Sequence, residues 1–240
     1  MRRLFSALSL FLSLGLSATL SSAFAFQSAG EEALQERFSG LQAVASSNRV
    51  ALTNYKWTEN TIVLLSGQVN ASEQRLCRYG REGKILKTLV IDPQDISQYH
   101  PHGVLRSRAV EKSVAETRDY ITRLESLTGD YLPPGAERLR SSIERGNASL
   151  ADRTENLSTL TINGYLKPGD KVFFEVAGKR IRTVRIDTYL DDRASEPVLL
   201  TATFATLPDG TSYVAESDLK VVSRNMEIKT VSSHYEKMFP

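Results

Sequence analysis

The residues best suited to binding a metal ion lie in the segment HPHG, where His100 and His102 are separated by one proline. Asp92, Asp95 or the distant His234 would have to complete such a site, because zinc takes three or four protein ligands. The prolines and polar residues around the two histidines are typical of a loop. We therefore predict that His100 and His102 lie in an exposed loop without a structural metal, and we predict no cofactor.

Catalytic groups leave no recognisable pattern in this chain. It has no G-x-S-x-G motif, and no serine is placed beside a histidine in the way that a nucleophile requires. Asp187, Asp191 and Asp192 offer paired carboxylates or calcium ligands, yet a calcium loop needs more oxygen ligands at regular spacing. Their segment, DTYLDDRASEP, is more typical of a strand that runs into a polar loop. The sequence thus predicts a non-enzymatic protein with no catalytic residue.

The N-terminus has the anatomy of a secretory signal peptide. A basic MRR precedes the apolar run Leu4–Leu20, and AFA at Ala23–Ala25 forms a small-x-small cleavage site. A retained membrane anchor is the alternative, but the run is short against the roughly 20 apolar residues of a spanning helix. The single cysteine, Cys77, lies far downstream, so we expect neither a lipid anchor nor an internal disulfide, and we interpret it as a packed side chain. We predict a periplasmic or secreted protein, with a signal peptide over residues 1–25 and one domain over residues 26–240.

Charge excludes some classes of partner. Cleavage after residue 25 removes Arg2 and Arg3 and no acid, which leaves 28 basic and 28 acidic residues. A neutral chain has no overall basic field for nucleic acid or for acidic lipid, so we expect no nucleic-acid partner and no attraction of the whole chain to anionic membranes. We also expect no stable insertion into a membrane after signal cleavage. The cluster GKRIRTVR (Gly178–Arg185) alternates cations with apolar residues. It fits either contact with phosphate or acidic headgroups, or the solvated face of a sheet.

The first half of the mature chain predicts one helix and three strands. Apolar residues recur at helical spacing from Glu31 onward, at Leu34, Phe38, Leu41, Ala45 and Leu52. The period then changes to two, and three β-rich runs follow: YKWTENTIVLLSG, QVNASEQRLCRYG and KILKTLVI. Trp57, the only tryptophan, alternates with Tyr55, so we predict that its ring is buried and packs the sheet against the first helix.

The second half predicts two helices and about six strands. The loop Asp92–Gly103 precedes an amphipathic helix marked by Val110, Val114, Ile121, Leu124 and Leu127, and Ala136–Arg145 forms a short third helix. Strands follow from Leu157 with short hairpin turns, KPGD of type II and LPDG of type I. Nine strands in one twisted sheet tend to curl, and the helices must cover the concave face. The predicted fold class is α+β, a curled antiparallel sheet (an open half-barrel) with the N-terminal and central helices packed on its concave face.

Several segments resemble a family of uncharacterised exported proteins from environmental bacteria: NYKWTENTIVLLSGQV, RYGREGKILKTLV, LKPGDKV and IDTYLDD with ATFATLPDGTSYVAES. The order of elements also resembles the Lol-type lipoprotein carriers and related lipid-binding half-barrels. That resemblance implies an acyl-binding cavity between the sheet and the helices. It assigns a role to no numbered residue, because fold does not fix function.

One alternating set of side chains faces inward in a curled sheet, and there we place a tentative ligand site. Val114 and Ile121 of the second helix would face Phe174, Ala202 and Phe204 of the strands. Such a surface suits an apolar or lipid-like ligand, with an acyl chain as the example. The alternative is a structural or protein-interaction protein of the cell envelope, in which helix side chains fill the same space.

Overall fold

The computed structural model describes residues 39–41, 43–81, 83–91, 104–154 and 156–238. At residues 91, 104–114 and 153 it describes the backbone alone. Gly40–Pro240 form one compact unit, and the unit Met1–Ser39 is described only at Ser39. The predicted signal peptide, the predicted start at Phe26 and the loop with His100 and His102 lie outside the described residues.

The described residues form ten strands in one antiparallel sheet. In chain order the strands are β1 Tyr55–Leu65, β2 Gln68–Tyr79, β3 Ile85–Ile91, β4 Ala148–Thr154, β5 Leu157–Asn163, β6 Lys171–Ala177, β7 Arg180–Tyr189, β8 Pro197–Thr206, β9 Ser212–Val221 and β10 Met226–Lys237. Across the sheet they follow the order β3-β2-β1-β10-β9-β8-β7-β6-β5-β4. The sheet is open, with β3 and β4 at its two edges.

The sheet consists of two meanders that join where β1 pairs with β10. The hairpins within each meander agree with the prediction from the short turns. Gly169 has the positive φ that the third position of a type II turn requires, and the amide of Gly210 closes the LPDG turn on the carbonyl of Leu207. Strand β4 was not predicted, because its second half, Asp152–Thr154, is polar and suits a sheet edge.

Three helices accompany the sheet. Residues 40–41 and 43–52 are helical and form α1, α2 spans Val104–Tyr131, and α3 spans Ala136–Glu144. The predicted third helix is confirmed, with Arg145 as its C-terminal cap. The buried stripe of α2 consists of Tyr120, Leu124, Leu127 and Tyr131. This stripe has the helical spacing of an amphipathic face that packs against the sheet.

The strand register defines a continuous inner face, because directly opposed residues of antiparallel strands share one side of the sheet. One row of opposed residues runs from β5 to β2 through Leu160, Phe174, Val184, Ala202, Ser217, Thr230, Thr61 and Glu73. Helix α2 packs on this face, since Tyr131 bonds to Thr188 of β7 and Glu125 bonds to Arg75 of β2. The predicted α+β half-barrel architecture is confirmed.

Candidate ligand-binding site

The inner face divides into two regions of different chemistry. The row of opposed residues is apolar on β5 to β8 and polar from β9 to β2. We name the inner face of strands β5 to β8 the closed region and the inner face of strands β1 to β3 the open region. The two regions differ in how far α2 seals them from solvent.

The closed region is packed without space for water. Phe174 and Ala202 are each 1% exposed, and Val184, which pairs with both of them, is fully buried, as is Leu124 of α2. A side chain that a water-sized sphere cannot touch does not line an empty cavity. A ligand can therefore reach these residues only if α2 moves.

The register brings together some of the predicted ligand-binding residues. Phe174 and Ala202 flank Val184, and Phe204 follows two residues after Ala202 and is half-buried. Ile121 lies on α2 beside its buried stripe and is also half-buried. Val114 belongs to α2, but its side chain is outside the described residues. Their role in ligand binding stays a prediction.

A buried hydrogen-bond network fixes the C-terminal end of α2 to the closed region. The hydroxyl of Tyr131 donates to the carboxylate of Asp170 and lies 2.8 Å from the hydroxyl of Thr188. Asp170 also accepts the backbone amides of Tyr165 at 2.6 Å and Lys167 at 2.9 Å, and it is almost fully buried. Burial, together with the bond to Asp170, raises the pKa of Tyr131, so this phenol remains a donor.

The open region exposes apolar side chains on the same inner face. Leu89 lies opposite Arg75, and its side chain is 44% exposed. Ile85 lies opposite Tyr79, and both of these side chains are half-buried. Their strand, β3, forms the edge of the sheet, where no further strand covers it within the described residues. The inner face is therefore accessible at this edge without a rearrangement of the sheet.

Charged side chains of the open region pair with one another. Lys87 Nζ lies 2.6 Å from Glu59 Oε2, and Trp57 Nε1 donates to Glu59 Oε1 at 3.1 Å. Arg75 lies 2.7 Å from Glu73 and 3.2 Å from Glu125 of α2. These side chains are partly shielded from water, which strengthens pairing relative to a fully exposed surface. The result is an amphipathic surface, with ion pairs beside Leu89 and Ile85.

Burial controls the protonation of this network. It raises the pKa of Glu73, and the charge of Arg75 offsets only part of that effect. Burial lowers the pKa of Lys87, but the Glu59 carboxylate more than compensates, so Lys87 stays charged. Burial and the nearby Glu59 raise the pKa of Cys77 to about 12, which agrees with its interpretation as a packed side chain without thiolate reactivity.

The charged residues of the open region were not predicted from the sequence. The sequence pattern assigned Glu59, Glu73 and Arg75 to neither face, and the register places all three on the inner face. The available signal was the alternation from Trp57 to Glu59, which places both on the side predicted to be buried. Trp57 is indeed buried, and its ring packs between Tyr79 and Tyr235.

The other candidate chemical groups have structural partners. Asp191 pairs with Arg123 of α2, and Asp192 accepts the amides of Ala194 and Ser195, as expected of a polar loop. Among the described residues, no group of three His, Cys, Asp or Glu side chains could hold a metal ion. No described helix is both long and apolar enough to span a bilayer.

A surface depression of about 340 Å³ lies at the ends of β7 and β8. Its lining includes Asp187, Arg193, Pro197 and Val222. It contains none of the predicted ligand-binding residues, and charged groups contribute to its walls. It therefore does not correspond to the apolar site that the sequence predicts.

Comparison with solved structures shows a distant likeness. No protein-family model and no curated protein matches the chain. The fold is similar to the crystal structure of a LolA superfamily protein from Nitrosomonas europaea, with a TM-score of 0.38, 8% sequence identity, and coverage of 83% of this chain and 93% of that chain. The likeness is distant, and the architecture described above follows from the strand register of this chain alone.

Proposed function

We propose that this chain is an exported, non-enzymatic protein that binds an apolar or lipid-like ligand between the sheet and its helices. The ligand enters at the open region and lies against Leu89 and Ile85. Its apolar part contacts these side chains, and its polar end lies beside the ion pairs of Arg75 and Lys87. Periplasmic or secreted localisation follows from the predicted signal peptide and belongs to the same proposal.

The observation that carries this proposal is the exposure of Leu89 on the inner face. An apolar side chain that is 44% exposed on the helix-bearing side of a sheet leaves hydrocarbon surface in contact with water. A ligand that covers this surface releases that water. Removal of apolar area from water contributes about 25 cal/mol per Å², so an acyl chain is a suitable occupant.

The charged groups of the open region favour binding over catalysis. Glu59 is paired with Lys87, and Arg75 is shared by Glu73 and Glu125. A general acid or base needs a proton position that the substrate can reach, whereas these groups already satisfy one another. They provide polar contacts at the end of an apolar surface.

A scaffold protein of the cell envelope is the second candidate function. Complete burial of Phe174 and Ala202 favours it, because the closed region is already filled by the protein's own side chains. In that case the inner face is only a core, and Leu89 is an ordinary exposed residue of an edge strand.

Titration with a fluorescent fatty acid distinguishes these functions. Leu89→Gln should weaken saturable binding, whereas Val231→Gln should not, because Val231 is 43% exposed but lies on the outer face, beside Asn60. Ala202→Phe tests entry beneath α2, since the larger ring would block a ligand in the closed region. No saturable binding by the wild-type protein leaves the scaffold function. Equal effects of the Leu89 and Val231 variants place the ligand elsewhere.

A further inference from the structure

One end of the sheet carries a group of exposed cations that are not paired with acids among the residues that the structure describes. This end holds the turns β2–β3, β6–β7 and β8–β9. Six exposed residues define what we name the basic rim: Arg49, Arg78, Arg81, Lys179, Arg180 and Arg182. None of the six forms an ion pair with another described residue. Two acids at this end, Glu236 and Asp209, are each already paired with a lysine.

The opposite end of the sheet has a different pattern. There Arg123 pairs with Asp191, Arg224 lies 3.5 Å from Glu196, and Lys220 lies 3.0 Å from Glu227. These three cations at that end are neutralised locally, and Arg145, Lys171 and Arg193 there remain exposed without an ion pair among the described residues. The basic rim holds six such cations, so its field extends further into solvent. The balance of 28 basic and 28 acidic residues after the predicted cleavage therefore conceals an uneven distribution.

Helix α1 connects the two parts of the basic rim. A Cβ at Gly40 would lie 3.6 Å from the side chain of Lys179 in the β6–β7 turn, and one at Gly83 would lie 3.0 Å from the guanidinium of Arg49. Nine residues separate Gly40 from Arg49, which corresponds to about 14 Å of helix. The two basic turns thus lie at the two ends of a short helix, close enough to act on one surface.

Exposed aliphatic side chains accompany the cations. Val50, next to Arg49 on α1, is 69% exposed. Leu86, which lies opposite Arg78 and beside the β2–β3 turn, is 47% exposed. Cations with protruding aliphatic groups are typical of surfaces that bind anionic bilayers, where the cations meet headgroups and the aliphatic groups enter the interface.

We infer that the basic rim docks this protein onto the surface of a bilayer that contains anionic phospholipid. A nucleic-acid surface fits less well, because single strands are bound through accessible aromatic rings. The tyrosines near this end, Tyr55, Tyr79 and Tyr235, instead pack with Trp57 or with one another. Docking goes beyond the proposed ligand binding and does not depend on it. It is peripheral and reversible, which agrees with the absence of stable insertion expected from the sequence.

Vesicle co-sedimentation tests the inference on protein recovered after export. The wild-type protein is mixed with phosphatidylcholine vesicles that contain or lack phosphatidylglycerol, at low and high salt. The rim variant carries Lys179→Gln, Arg180→Gln and Arg182→Gln. The matched control carries Arg145→Gln, Lys171→Gln and Arg193→Gln, three exposed cations at the opposite end. Circular dichroism confirms that both variants fold.

Wild-type protein should bind only the vesicles with phosphatidylglycerol and should dissociate at high salt. The rim variant should bind roughly a hundredfold more weakly, at about fivefold per cation, while the control changes severalfold at most. Val50→Ser, as a separate variant, should weaken binding to anionic vesicles but leave binding to a single-stranded oligonucleotide unchanged. Equal losses in the two triple variants, salt-resistant binding to pure phosphatidylcholine, or tighter binding to the oligonucleotide than to anionic vesicles would overturn the inference. Inorganic phosphate that releases the protein at millimolar concentration, while an equal ionic strength of chloride does not, would also overturn it, because the rim would then be a phosphate site.

Discussion

Replacement of Tyr131 by Phe should destabilise the protein by breaking the attachment of α2 to the sheet. The hydroxyl of Tyr131 is the only part of the side chain that this change removes, and the ring keeps its packing against Tyr165. Asp170 loses its side-chain donor but retains the backbone amides of Tyr165, Leu166 and Lys167. Thr188 loses the same partner.

The expected cost follows from the type of bond that is lost. A hydrogen bond to a charged acceptor contributes about 1.5–3 kcal/mol. The change leaves no cavity, and the Asp170 carboxylate still accepts hydrogen bonds from three backbone amides. The cost should therefore lie in the lower half of the range for such a bond. We expect Tyr131→Phe to reduce the free energy of unfolding by about 2 kcal/mol.

Urea denaturation measures this cost, with Tyr189→Phe as the matched control. The hydroxyl of Tyr189 donates to the carbonyl of Pro168 at an exposed site near the same turn. Its loss should change the free energy of unfolding by less than about 0.5 kcal/mol, as is usual for surface substitutions. Equal shifts of the unfolding midpoint in both variants would show that the Tyr131–Asp170 bond does not anchor α2.

Three further outcomes follow from burial in and near the open region. Trp57→Ala should cost about 3–5 kcal/mol in urea denaturation, because the ring is buried among aromatic side chains, and an unchanged midpoint would contradict that packing. Because burial raises the pKa of Cys77 to about 12, this thiol should not react with a thiol reagent at pH 8 in the native protein but should react at once in denaturant. Rapid labelling of the native protein would contradict its burial and would mean that strand β2 opens. The pKa of Glu73 is raised, so the folded protein keeps the proton on this carboxyl to a higher pH than the unfolded chain does. The contribution of Glu73 to the free energy of unfolding therefore decreases as pH rises above the ordinary carboxyl range. Glu73→Gln should remove that decrease in a comparison of unfolding free energy against pH, and an identical profile in both proteins would refute it.

Local pattern predicted most elements of the fold. Strict alternation in β6 and β8 produces the buried sets Val172, Phe174 and Val176, and Val198, Leu200 and Ala202. The turns at Gly169 and Gly210 fixed the hairpins, because each needs a defined backbone conformation. The pairing of β1 with β10 could not be predicted, since no local pattern records which distant strand Thr61 meets. Strand β4 was missed because its polar end has the composition of a loop.

The candidate site was predicted only in part, for a similar reason. Alternation correctly placed Phe174 and Ala202 on one face, but it did not show that α2 seals them. No face was predicted for Glu59 and Arg75, because a charged residue between apolar neighbours usually faces water and gives no signal of an inner position. Only the register with β3, which brings Lys87 to Glu59, reveals that these charges satisfy one another on the inner face.

Quenching of Trp57 by a brominated fatty acid tests the proposed ligand site most directly. Trp57 is the only tryptophan, and its register partner on β2, Cys77, lies opposite Lys87 of β3. A bromine-bearing chain against Leu89 would therefore lie about two strand spacings, roughly 10 Å, from β1. A ligand in the open region should produce saturable quenching in the wild-type protein that Leu89→Gln weakens and Val231→Gln preserves. Saturable binding without quenching, or quenching that Leu89→Gln leaves unchanged, would contradict a ligand site in the open region.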